Sequence, residues 1–206
     1  MSKVAIIDYG MGNSWSVKSA YEFLKISTNI IESPKELKKY PLAVLPGVGA
    51  FNHAMYKLEH LGFTEEIYEF VSNADNKILG ICLGMHLFGT TGYENTKTNG
   101  LDLIKGVVEE FNLLGSYPLN IPHVGFNKVN LNTNSKLLKG FNHEPYFYFD
   151  HSYIFQGCAA KVTATTKYGI DFISLFENDN IFGVQFHPEK SQKFGLKLLN
   201  NFGRLA

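Results

Sequence analysis

Short apolar runs alternate with amphipathic stretches along the first half of the chain. Lys3 to Asp8 forms the first strand-like run, and Val17, Ala20, Tyr21 and Leu24 then fall at i, i+3, i+4 and i+7, which predicts a helix over Ser14 to Ile26. Asn29 to Glu32 reads as a second strand. The Ser33-Pro34-Lys35-Glu36 stretch combines capping-box spacing with proline at a first helical position, so a short helix is expected there. Leu42 to Leu45 predicts a third strand, Phe51 to Leu61 and Thr64 to Val71 two helices, and Lys77 to Ile81 a fourth strand that runs into Cys82. Strands alternating with helices imply a parallel sheet covered on both faces.

The pattern changes in the second half. Val107 to Phe111, His123 to Val129, Pro145 to Phe149, Lys161 to Thr166, Phe172 to Glu177 and Ile181 to Phe186 read as strands with few helices between them, which predicts an antiparallel portion. A last helix over Gln192 to Phe202 carries Phe194, Leu198 and Leu199 on one side. The expected fold is α/β, a mostly parallel central sheet flanked by helices with an antiparallel addition. At 206 residues, without repeats or linkers, a single domain over 1–206 is expected.

Composition narrows the function classes. Nineteen basic and 19 acidic residues cancel, which gives no footprint for nucleic acid or an anionic membrane. No apolar run approaches the length of a membrane span, and the first apolar run ends in Asp8 rather than a cleavage site, so the expected location is the cytoplasm. Two cysteines, Cys82 and Cys158, make neither a disulfide framework nor a structural zinc site, and each is judged alone.

Two glycine turns invite a nucleotide reading and fail it. Gly10-Met11-Gly12 follows a strand and precedes a helix, but the third glycine of a dinucleotide fingerprint is replaced by Trp15; after Gly47-Val48-Gly49 the same position is Asn52. Neither has a P-loop lysine. Gly47 to Gly49 remain candidates to present a backbone N–H to an oxyanion.

Gly80-Ile81-Cys82-Leu83-Gly84 places a cysteine between small residues where an apolar strand meets a helix, the geometry of a nucleophile elbow. The glycines relieve crowding at the sharp turn and the side chain projects above the sheet. A core strand gains nothing from two glycines, which argues against a buried structural thiol here; Cys158 lacks such a setting and reads as structural. Among seven histidines, His187 stands out: Val184-Gln185-Phe186-His187-Pro188-Glu189 puts it just past a strand end, with proline forcing a turn and a carboxylate two residues on that could orient the ring.

Gly80 to Met85, taken with Gln185-Phe186-His187-Pro188-Glu189-Lys190-Ser191 about 100 residues later, resembles the class I, or triad, glutamine amidotransferases. Ile7 to Asn13, Pro46 to Phe51, Pro122 to Asn127 and Tyr148 to Tyr153 narrow the resemblance to the glutaminase subunits of imidazole glycerol phosphate synthases, over essentially the whole chain. The resemblance implies that Cys82 attacks the side-chain amide of glutamine, that His187 protonates the departing ammonia and then activates water, and that Glu189 orients His187. It also implies an oxyanion hole from Leu83 and one N–H among Gly47, Val48 and Gly49. Gly49, Glu94 and Ser152 would hold the amino-acid end of glutamine, and Asn13, Phe126, Tyr148, His151 and Lys190 would face the ammonia exit and the partner. The resemblance implies that this partner is a barrel-shaped cyclase, bound as a heterodimer, in histidine biosynthesis. No metal or organic cofactor is implied.

The chain departs from the family at His86, where glutamine is usual, at Ser14-Trp15, where leucine-arginine is usual, and at Phe126, where tryptophan is usual. His86 lies one helical turn after the nucleophile, so it is expected to face the substrate. The other changes fall on the expected partner face. They leave open a paralogue that feeds ammonia to a related synthase, for example in sugar amination; a stand-alone γ-glutamyl hydrolase sharing the fold is a rival reading, and His86 leaves open a catalytically weak subunit that stabilises its partner.

Overall fold

The computed structural model describes residues 3–111, 120–132 and 134–205. Its first half runs β1 (Lys3–Ile7), α1 (Ser14–Phe23), β2 (Ser27–Ile31), β3 (Leu42–Gly47), α2 (Phe51–His60), α3 (Phe63–Ser72), β4 (Lys77–Cys82) and α4 (Leu83–Leu87). The second half adds β5 (Thr91–Gly92), β6 (Thr98–Asn99), β7 (Val107–Glu110), β8 (His123–Lys128), β9 (Tyr146–His151), β10 (Tyr153–Gln156), β11 (Val162–Tyr168), β12 (Ile170–Asn178), β13 (Ile181–Val184) and α5 (Gln192–Gly203).

Successive side chains of a strand point to opposite faces. Val4 and Ile6 of β1 enter one apolar core with Leu42 and Val44 of β3, while Ala5, Ile7, Ala43 and Leu45 enter a second core on the other face. α1 and α5 cover the first face and α2 and α3 the second. The main sheet has seven strands in the order β11-β12-β13-β4-β3-β1-β2. From β13 to β2 the pairings are parallel, and β11 and β12 extend the edge in antiparallel fashion. The expected α/β sheet with an antiparallel addition is what the chain forms. Among the described residues, no helix is long and apolar enough to cross a membrane.

Two local expectations are corrected, and one sheet was not anticipated. α1 ends at Phe23 instead of Ile26, because Lys25 turns left-handed at φ 57° and returns the Ile26 N–H to the Tyr21 carbonyl. The helix at Pro34 is a 3-10 helix over Pro34–Lys39, and its capping box is not made: Ser33 gives no side-chain cap, and the Glu36 carboxylate pairs with Lys39. Short strands β5, β6 and β10 join β7 in a separate four-stranded sheet that sequence periodicity does not reveal, since β5 and β6 span two residues each.

Candidate active site

Parallel pairing of β3, β4 and β13 delivers three distant segments to one edge of the sheet. Gly47 of β3 lies opposite Cys82 at the end of β4, and Val184 of β13 lies opposite Ile81, so the residues that follow each strand converge beyond the carboxyl ends. That edge is where open α/β sheets bind ligands.

Cys82 is held at φ 52° and ψ −109°, a region that non-glycine residues rarely adopt. Two glycines make the turn possible. A Cβ on Gly84 would stand 1.9 Å from the Leu45 carbonyl oxygen, and one on Gly80 would stand 2.6 Å from the Gly84 carbonyl oxygen. α4 therefore starts directly at the strand end and presses against β3, leaving the thiol above the sheet.

His187 follows β13 and is pinned from several sides. Its N–H donates to the Tyr148 carbonyl at 2.8 Å, and Ser191 Oγ, which accepts from the Tyr148 N–H at 2.9 Å, donates to the His187 carbonyl at 2.5 Å. Pro188 opens a 3-10 turn that carries Glu189 back under the ring, where His187 Nδ1 donates to Glu189 Oε1 at 2.8 Å. Nε2 is left to meet Cys82. Burial by itself pulls the His187 pKa down, but hydrogen bonds to Cys82 and Glu189, together with their negative charge, outweigh it and raise the value to about 10. The imidazole is thus held as imidazolium between two acidic partners.

Cys82, Leu83, His187, Val48, Gly49, His86, Glu94, His151, Ser152 and Lys190 all line one cavity of about 430 Å³, a size suited to a small molecule. Glu94 comes from the loop after β5 and accepts the Phe51 N–H at 2.8 Å, which fixes its carboxylate at the start of α2. Gly49 takes φ 98°, and the Val48 N–H is already engaged, donating to the Met11 carbonyl at 3.1 Å. Among the residues expected on a partner face, Phe126 packs edge-on against Tyr148 with ring centroids 5.6 Å apart, and Lys190 Nζ sits 5.4 Å from the Tyr148 ring. Asn13 caps α1 by accepting the Ser16 N–H.

His151 is buried and lines the same cavity. Its Nδ1 donates to the Tyr153 carbonyl at 2.9 Å, so its Nε2 must accept from His123 Nδ1, also at 2.9 Å. His123 Nε2 is then free to accept from Asn127. Burial lowers both rings, His123 to about 4 and His151 to about 3, and the pair stays neutral. Nothing in the one-dimensional pattern pairs two histidines on neighbouring strands. Gln185 was also given no role by sequence reasoning, although strand alternation puts it on the same side as His187. It is fully buried beside Cys82.

With this geometry in hand, comparison with known proteins places the chain. The family model "Glutamine amidotransferase class-I" matches residues 5–205, and the chain belongs to that family of glutamine-hydrolysing enzymes. Within it the chain is a member of the HisH group. It is 44% identical to imidazole glycerol phosphate synthase subunit HisH 1 of Campylobacter jejuni subsp. jejuni serotype O:23/36 (strain 81-176), over 98% of this chain and 100% of that protein. It is 41% identical to subunit HisH of Moorella thermoacetica, over 100% and 96% of the two chains. Among solved structures, "Crystal structure of glutamine amidotransferase" superposes with a TM-score of 0.76 at 18% identity, covering 98% of this chain and 97% of that one. At that identity the likeness speaks for the fold alone.

Proposed function

We propose that this chain is the glutaminase subunit of an imidazole glycerol phosphate synthase, acting in the cytoplasm as one domain over 1–206 and passing ammonia to a cyclase partner in a heterodimer. The observation that carries the reading is that Cys82 and His187 line one cavity while the buried Glu189 carboxylate accepts from His187 Nδ1 at 2.8 Å behind it. That the relatives are named subunits of imidazole glycerol phosphate synthase supports the reaction and a partner chain.

In this reading Cys82 Sγ attacks the side-chain carbonyl carbon of glutamine. Negative charge gathers on the carbonyl oxygen and is met by the Leu83 N–H and one from Gly47 to Gly49. As the C–N bond breaks, the His187 imidazolium gives its proton to the leaving nitrogen and ammonia departs, leaving a thioester. Neutral His187 then takes a proton from water, hydroxide adds to the thioester, and glutamate leaves as the C–S bond breaks. Glu189 keeps the ring oriented with Nδ1 protonated throughout. The Glu94 carboxylate suits the substrate ammonium group, Gly49 and Ser152 of the same cavity take the carboxylate, and His86 walls the same space.

Asn13, Phe126, Tyr148, His151 and Lys190 form the proposed exit and partner side. Trp15, 68% exposed beside Lys18, and half-exposed Phe126 stand where the family usually has other residues, which favours one second reading, a paralogue serving a related synthase. The test is Cys82→Ser in complex with the cyclase. Glutamine-dependent synthesis should vanish while synthesis from added ammonium salt persists; loss of both in an assembled complex would refute a role confined to making ammonia.

A further inference from the structure

The cavity wall contains a chain of polar contacts that the reaction above does not use. Gln185 is completely buried, and its backbone N–H is tied to the Ser174 carbonyl at 2.9 Å, so its side chain has little room to move. Its Oε1 lies 2.7 Å from His86 Nε2, and its Nε2 lies 3.9 Å from Cys82 Sγ, a hydrogen-bonding distance for sulfur. The Asp150 carbonyl oxygen also lies 3.9 Å from the sulfur.

We propose that His86 is a positioning residue that locks the Gln185 amide with its N–H end toward the Cys82 sulfur. The proposal rests on Cys82 being the nucleophile. A primary amide has a donor end and an acceptor end that exchange when the group flips by half a turn. In one orientation Gln185 donates to the sulfur and stabilises its negative form. In the other, a second carbonyl oxygen joins that of Asp150 against the sulfur and opposes that form. The neighbour at residue 86 decides between them, because a donor there requires the oxygen end. Burial keeps His86 neutral, with its pKa lowered to about 4, so the ring has one N–H to give. In the proposed arrangement that N–H is on Nε2, 2.7 Å from the Gln185 oxygen. Residue 86 thus acts on Cys82 through Gln185, and what its position requires is a hydrogen-bond donor. A glutamine side chain offers one and a leucine does not.

The experiment uses the full chain with three single variants, His86→Gln, His86→Leu and Gln185→Met, and the double variant His86→Leu/Gln185→Met. Two readouts are taken: the rate of iodoacetamide alkylation of Cys82 between pH 5 and 9, followed by peptide mass spectrometry to separate it from Cys158, and kcat and KM for glutamate release with the cyclase present. His86→Gln should stay within about threefold of wild type in alkylation. His86→Leu should slow alkylation at pH 7 and kcat by at least about tenfold, the size of one hydrogen bond to a charged group, with KM moved by less than about threefold. Gln185→Met should do the same, and the double variant should be no worse than either single, since both break one chain. Wild-type reactivity in His86→Leu or in Gln185→Met would overturn the lock, as would a loss in His86→Leu confined to KM, which would make His86 a direct glutamine contact. Gln185→Met keeps the test decisive if His86→Leu does not fold. A wild-type complex that releases no glutamate would instead defeat the glutaminase reading, while the alkylation series would still judge the lock.

Discussion

The buried neutral state of His86 has a measurable consequence for stability. In the folded chain its pKa is lowered from 6.5 to about 4, first by burial, with the Gln185 contact working weakly the other way. In the unfolded chain it titrates near the ordinary value. Between these values the unfolded state binds a proton that the folded state refuses, so the stability this site contributes is present above pH 6.5 and lost as pH falls toward about 4. At pH 5 the unfolded form is favoured by the ratio of the two binding terms, roughly 30, or about 2 kcal/mol, and at pH 8 by almost nothing. Because pH 5 still lies above the folded value, nearly all of this comes from the unfolded chain. The perturbation is His86→Gln, which removes the titration and keeps a donor for Gln185. His123 and His151 are lowered in the same direction and His187 is raised, and these contributions cancel when variant and wild type are compared at the same pH. The assay is urea unfolding at pH 8 and pH 5 followed by far-ultraviolet circular dichroism, since the single tryptophan, Trp15, is exposed and reports folding poorly. Whatever the variant costs at pH 8, it should gain about 2 kcal/mol on wild type at pH 5. A difference that stays constant within about 0.5 kcal/mol would show that His86 titrates normally and refute its description as a buried neutral ring.

Glu189→Gln leaves His187 without its anionic partner and lets an amide present the wrong end to Nδ1; kcat for glutamate release should fall at least about a hundredfold with KM little changed, and a loss below about tenfold would remove Glu189 from the triad. Gly84→Ala forces a methyl group to 1.9 Å from the Leu45 carbonyl oxygen, so urea unfolding should report a loss of about 3 kcal/mol or more, and a loss under about 1 kcal/mol would show that α4 does not press on β3 as described. With the Val48 N–H engaged by the Met11 carbonyl, the chain alone should be a poor glutaminase, and cyclase plus acceptor should raise kcat by about 100- to 1000-fold as that donor is freed; equal kcat in both states would favour a stand-alone hydrolase.

The parts legible in the sequence are those whose physics is local. Apolar periodicity marked β1, β3 and β4 because both faces of these strands are buried, and it marked the helices that cover them. The elbow was legible because Gly80 and Gly84 are required within a few residues of Cys82, and the turn at His187 because Pro188 and Glu189 act on it directly. Tertiary structure decided what depends on residues far apart in the chain. His86 and Gln185, separated by 99 positions, meet only because β4 and β13 are paired, and His123 and His151 meet only because β8 lies against β9. The engagement of Val48 with Met11 and the unmade capping box at Ser33 were equally out of reach, because a backbone N–H or a hydroxyl has several possible partners and the packing of neighbouring segments selects among them. Sequence therefore named the candidate groups of the proposed reaction, since strained turns and paired charges need particular residues nearby, while the fold set their surroundings and orientation, since burial and hydrogen-bond partners exist only once the strands are side by side.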